Sequence, residues 1–157
     1  MPAFKMGSLD HIHLMVPDRY GAARWYAENL GFEIVGEYEE WARVDGGPLH
    51  LSADGGRSGI ALFEIREGTP TSKIEIGVAF AVDAPTFVAF AEGVAERELS
   101  DGLGGRLTPS DVVDHDLCYA FYFQDPYGNA FELDCYDHAA VQRDLVDKQG
   151  ITPVRFW

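Results

Sequence analysis

The feature that most constrains this fold is a repeated order of elements. Strand-like alternation, a helical stretch and three further strand-like runs occur once, and then the series starts again. In LDHIHLMV (9–16), Leu9, His11, His13 and Met15 alternate with Ile12, Leu14 and Val16, so both histidines fall on one strand face. Asp18 is a helix N-cap, YGAARWYAENL spaces Tyr20, Ala23, Trp25, Tyr26 and Leu30 helically, and Gly31 stops the helix. FEIVGEYEEWARVD, GPLHLSAD and SGIALFEIR then read as three strands, separated by turn signals at Asp45-Gly46-Gly47 and Asp54-Gly55-Gly56.

The second half repeats this βαβββ order. IEIGVAFAV (74–82) is a strand, and APTFVAFAEGVAERE is a helix with Pro85 in its first turn. After the glycine-rich stretch 101–106 comes LTPSDVVDHD, a weak strand and loop. CYAFYFQDPYGNAFELDCY gives two strands joined through residues 125–129. Superposing Val16 on Val82 pairs His11 with Gly77, and the last strands pair Glu64 with Glu132. The separations are 53 and 55 residues, which an internal duplication explains. The expected organisation is one domain over 1–157, with modules at 9–66 and 73–137. A tail at 138–157 begins as a helix around AAVQRDLVDK and ends in Phe156 and Trp157, which dock on an apolar surface.

Composition narrows the function classes. In 157 residues, 46% hydrophobic content is ample for a buried core. A net charge of −14, with no basic stripe to reverse it locally, argues against nucleic acid or an anionic membrane surface as partner. MPAFKMGS lacks the apolar core of a signal peptide, no run approaches the length of a membrane span, and the expected location is the cytoplasm. Cys118 and Cys135 form no CxxC motif and read as reduced, strand-borne thiols.

The run H-x-x-L-x-V-x-D from His11, then WY-x-x-x-LGF from Trp25, and finally YF-x-DP-x-GN-x-x-EL from Tyr122 resemble the vicinal oxygen chelate superfamily. That superfamily contains glyoxalases, fosfomycin-resistance enzymes, bleomycin-binding proteins and extradiol ring-cleaving dioxygenases. The resemblance covers residues 9 to about 137 and implies an α+β fold of two tandem βαβββ modules forming cupped mixed sheets. It also implies a divalent metal, Fe(II) or Mn(II), in the cup, with ligands at positions 11, 64, 77 and 132.

His11, Glu132 and Glu64 are therefore the expected metal ligands. The remaining coordination positions would be open to substrate, water or dioxygen. A carboxylate such as Glu132, placed among apolar strand residues, needs a metal or a basic partner to offset its desolvation. Gly77 departs from the family pattern, because ring-cleaving members carry a histidine there. His13 or Glu75, each two residues along on the same face, could supply a substitute donor. His50 is expected on a strand away from the metal, and His138 at the solvated start of the tail. In extradiol dioxygenases a tyrosine ten residues before the ligand glutamate, with a histidine ahead of it, hydrogen-bonds substrate oxygens. Tyr122 and His115 match, and are the expected catalytic residues.

The reading that follows is a metal-dependent enzyme of dioxygenase type acting on a small, oxygen-bearing, catechol-like molecule. One alternative is a lyase or isomerase of glyoxalase type using a carboxylate base. Another is a metal-free small-molecule binder resembling bleomycin-resistance proteins, which the loss of a ligand at Gly77 favours. The family often builds its cup across two chains, so a homodimer is expected, with the aromatic tail as an interface element.

Overall fold

The computed structural model describes residues 10–66, 77–101 and 103–155. Leu9, residues 74–76 with Glu75, Gly102, Phe156 and Trp157 lie outside the described residues. The chain divides into two units, Met1–Thr71 and Ser72–Trp157.

In the first unit, β1 (His11–Val16), α1 (Arg19–Leu30), β2 (Glu33–Ile34), α2 (Glu39–Arg43), β3 (Leu49–Ser52) and β4 (Gly59–Glu64) follow in order. The sheet runs β1-β4-β3-β2, with β1 parallel to β4 and the other pairs antiparallel. Asp18 caps α1 by accepting from the Tyr20 amide at 3.0 Å, and Gly31 closes it in the left-handed conformation at φ 72°. Strand alternation places Leu14 and Val16 of β1, Ile60 and Leu62 of β4, and Leu49 and Leu51 of β3 on the face that α1 covers, all of them buried. At about 1.5–3 kcal/mol for each fully buried aliphatic side chain, this layer fixes the strand register. The opposite face therefore carries His11, His13 and His50.

The run 32–45 is not a single strand, as the sequence predicted. Only Glu33–Ile34 pairs with β3, followed by a 3-10 turn at Gly36–Tyr38 and then α2. Glu39 and Glu40 sit in the first turn of α2 and Arg43 in its last, so its charges complement the helix dipole, and Ala42 turns inward. Local helix preference overrides the apparent alternation there.

The second unit contains β5 (Gly77–Ala81), α3 (Ala84–Gly93), β6 (Val113–Asp114), β7 (Tyr119–Gln124), β8 (Ala130–Cys135), α4 (His138–Val141) and β9 (Val154–Arg155). Its sheet runs β5-β8-β7-β6-β9. Asp83 caps α3 through the Thr86 amide at 3.0 Å, and Phe87 and Phe90 pack on Phe121 with ring centroids 5.4 Å apart. The tail is more ordered in its placement than the sequence implied. After α4 and a π-helical stretch at Gln142–Asp147, β9 adds to β6 as a parallel fifth strand. Buried Asp114 ties these pieces together, accepting from the Asp116 amide at 2.9 Å, contacting His138 Nε2 at 2.8 Å and lying 3.8 Å from Arg155. His138 is thus a partner of a buried carboxylate rather than a solvated tail residue. Burial raises the Asp114 pKa, but the His138 and Asp116 hydrogen bonds outweigh it and the net shift is downward. No helix among the described residues is long and apolar enough to cross a membrane.

Candidate functional site

Three of the residues singled out in the sequence meet in the second unit. The DPYGN turn sets β8 against β7. Asp125 accepts from the Tyr127 and Asn129 amides at 2.9 and 2.8 Å, Gly128 adopts φ 85°, and the register then places Tyr122 opposite Glu132. The Tyr122 hydroxyl donates to Glu132 Oε1 at 2.7 Å, and His115 Nε2 lies 3.1 Å from the Tyr122 hydroxyl oxygen. The single phenolic proton goes to the carboxylate, so His115 Nε2 carries the proton of the second bond. His115 reaches this position from the tight β6–β7 turn, where Asp116 adopts φ 63° and the His115 amide bonds to the Cys118 carbonyl at 3.0 Å.

Alternation brings a further residue to the same face. Asp134, two positions beyond Glu132, is 7% exposed, and its Oδ1 is buried without a hydrogen-bond partner. Burial, followed by the charge and hydrogen bond of Glu132, pushes the Asp134 pKa up to about 6. Burial and Glu132 also raise the Tyr122 pKa, which keeps the phenol neutral and donating. Beside these groups β5 presents only Gly77, Ala79 and Ala81, with Ala79 opposite Glu132 and Ala81 opposite Asp134. A Cβ built on Gly77 would meet nothing within 4 Å. Cys118 and Cys135 are free, and burial raises both thiol pKa values.

The first unit carries a separate cluster. Asp10 Oδ1 lies 2.5 Å from His11 Nδ1, and His11 Nε2 lies 3.1 Å from His13 Nε2. His50 stands edge-on to His11 with centroids 5.0 Å apart, 8% exposed, and contacts Tyr38 and Trp41. Burial lowers its pKa, as do the nearby His11 and His13. A pocket of about 110 Å³ opens here, lined by Asp10, His11, Tyr38, Trp41 and His50. His50 therefore belongs to the histidine cluster rather than to a distant strand. Its alternation with Leu49 and Leu51 gave its face, but only the register gave its neighbours.

Glu64 is not brought to this cluster. It pairs with Val16 while His11 pairs with Gly59, five positions away along the strand, or about 16 Å. It also falls on the face covered by α1, where Arg19 Nε lies 3.4 Å from its Oε1. The register further realigns the internal repeat. The row His13–Ala61–His50 corresponds to Ala79–Glu132–Tyr122, so the counterpart of Glu132 is Ala61. Gly59 follows His11 by 48 residues and Ala130 follows Gly77 by 53, so connections of unequal length make the 53- and 55-residue spacings agree by coincidence.

The imidazoles on β1 and the carboxylate on β8 are each donors of a kind that a divalent transition metal accepts, whereas Gly77 has no side chain to offer. Among the described residues, no three His, Cys, Asp or Glu side chains form a group that could hold an ion. The His115–Tyr122–Glu132 chain can pass or stabilise a proton beside a small ligand.

The family model for the Glyoxalase/Bleomycin resistance protein/Dioxygenase superfamily matches residues 8–133. A glyoxylase/bleomycin resistance protein/dioxygenase domain from Frankia sp. EAN1pec is 22% identical with a TM-score of 0.61, covering 84% of this chain and 93% of that one. Oxidase ChaP-H2 is 23% identical with a TM-score of 0.60, covering 85% and 97%. The fosfomycin resistance protein FosX from Mesorhizobium loti is 17% identical with a TM-score of 0.54, covering 82% and 91%. At these identities the likeness is one of fold. No curated protein matches the chain. The family match spans most of the sequence and agrees with two mixed sheets built from βαβββ units: the chain belongs to the Glyoxalase/Bleomycin resistance protein/Dioxygenase superfamily.

Proposed function

We propose that the protein is a metal-dependent enzyme of extradiol dioxygenase type acting on a small catechol-like substrate. The observation that carries this reading is the Tyr122 hydroxyl bridging His115 and Glu132 at 3.1 and 2.7 Å. Such a reaction places both atoms of dioxygen into the product as one ring carbon–carbon bond opens, with dioxygen as the oxidant. Fe(II) or Mn(II), with the Glu132 carboxylate among its donors, would supply chelation of the two adjacent substrate oxygens and favour their ionised form. Glu64, engaged by Arg19 on the other sheet face, takes no part. Tyr122 donates to an anionic substrate oxygen without itself ionising. His115 holds the proton returned to the product, within hydrogen-bond reach of the phenol.

The test is oxygen consumption by iron- or manganese-loaded protein with a panel of catechols. Uptake is expected in the parent, reduced about 100-fold or more in Tyr122→Phe and His115→Gln. No uptake across the panel with metal bound would refute the reading. The open strip of Gly77, Ala79 and Ala81 favours a second reading, a metal-free binder of a small molecule. Saturable binding of a catechol by chelator-treated protein, without turnover after metal loading, would select it.

A further inference from the structure

We propose that the His-x-His of β1 is a chelating pair, in which His11 and His13 bind one divalent transition-metal ion through their Nε2 atoms. The proposal rests on the metal-dependent reading and assigns it a ligand.

The geometry is that of a bite. Both histidines project from one strand face two residues apart, with Nε2 atoms 3.1 Å apart. Two imidazole nitrogens at about 2.0–2.1 Å from one ion, subtending about 90–110°, lie about 2.9–3.4 Å apart. Asp10 makes the first donor ready. With Oδ1 2.5 Å from His11 Nδ1, the Nδ1 proton is committed to the carboxylate and the lone pair is left on Nε2. His13 is oriented by Phe63, whose ring centroid lies 4.8 Å from its own. Register adds the third feature. Gly59 and Ala61, the β4 partners of the two histidines, have no side chain longer than a methyl, so nothing on β4 stands between the rings. Gly59 cannot grow: a Cβ there would lie 2.4 Å from the Leu51 carbonyl oxygen.

Two protein donors leave the coordination sphere open, and the pocket of about 110 Å³ beside His11 gives room for water or a small chelating molecule. An imidazole pair ranks metals in the order Cu(II), then Ni(II) and Zn(II), then Co(II), with Mn(II) weakest. The same 3.1 Å separation also suits an N–H···N hydrogen bond between the rings, which is the competing account.

The experiment is titration of the chelator-stripped full chain with Zn(II) against a chromophoric chelator. Co(II) visible absorption and long-range ¹⁵N-¹H histidine spectra serve as ligand-specific readouts. One ion per chain is expected, with Nε2 resonances of His11 and His13 both shifted. Affinity should fall at least about tenfold in His13→Ala and His13→Gln, and about 10–100-fold in Asp10→Asn. Circular dichroism checks that each variant is folded. Zn(II) binding unchanged in both His13 variants would overturn the proposal while leaving the metal-dependent reading standing. Binding lost in the His13 variants with no oxygen uptake in the parent would support the proposal and sink the dioxygenase reading. An absence of binding, with the rings joined only by a hydrogen bond, would overturn both.

Discussion

Replacing Asp134 by Asn should stabilise the protein at neutral pH, which is unusual for a buried hydrogen-bonded residue. Asp134 is 7% exposed, has one orphaned carboxylate oxygen and stands beside the charge of Glu132, so burial and then that charge disfavour its ionised form and its pKa rises from 3.8 to about 6. Below about pH 3 the group is protonated in the folded and unfolded chain alike, and folding bears no charge penalty. Between pH 4 and 6 the unfolded chain releases the proton first, stability falls, and above 6 the penalty is complete. The full difference corresponds to about 3 kcal/mol, and sharing the proton with Glu132 leaves about 2 kcal/mol for the single group. Asparagine has the same shape, carries no charge and offers an amide donor to Glu132. Asp134→Asn in chelator-treated protein should therefore raise Tm by about 4–8 °C at pH 8 and by only about a fifth of that at pH 4. Urea melts at the two pH values give the same comparison independently. Equal or lower stability at pH 8, or the same gain at both pH values, would refute the reasoning. The gain should come with a loss of function if the strained pair belongs to the site.

Three further outcomes separate the roles assigned above. Gly77→His fills open space on a strand, so it should leave urea stability within about 1 kcal/mol of the parent. Glu64→Gln removes a partner of Arg19 but no ligand; Zn(II) affinity should not change, and stability should drop by less than about 1 kcal/mol, since the carboxylate is one-third exposed. Gly59→Ala should cost about 1–3 kcal/mol by urea denaturation, because the added methyl would strike the Leu51 carbonyl. The strain falls directly opposite His11, so metal affinity should weaken with it.

The elements that were legible in the sequence are those whose signals are local and redundant. α1 carries an N-cap, a helical apolar stripe and a left-handed glycine stop, and each is satisfied at Asp18, Tyr26 and Gly31. β7 and β8 carry alternation plus an Asx turn at Asp125, which fixes how Tyr122 and Glu132 meet. Where one signal stood alone the reading failed. Residues 36–43 alternate weakly, and their helix preference prevails because only Glu33 and Ile34 find a strand partner. β9 has two residues and no pattern of its own, since its placement comes from pairing with β6 around the buried Asp114.

The candidate site divides along the same line. Within a strand, period-two alternation suffices: it placed His11 with His13, and would have placed Asp134 with Glu132. Between strands, the residues that meet depend on register, which loop lengths decide and side-chain types do not. That is why Glu64 was matched to Glu132 through a near-equal spacing, while Ala61 holds the corresponding position in the sheet. It is also why His50 was set apart from His11 although their rings lie 5.0 Å apart. The register shifts the chemical question for this family member. Each unit carries a complete polar row on the sheet face opposite its helix: two imidazoles flanking Ala61 in one, Glu132 bonded to Tyr122 in the other. In the first unit the proposed chelating pair stands on one strand, His13 two residues along from His11 with its Nε2 3.1 Å away, and the Asp10 carboxylate is already oriented behind the first imidazole.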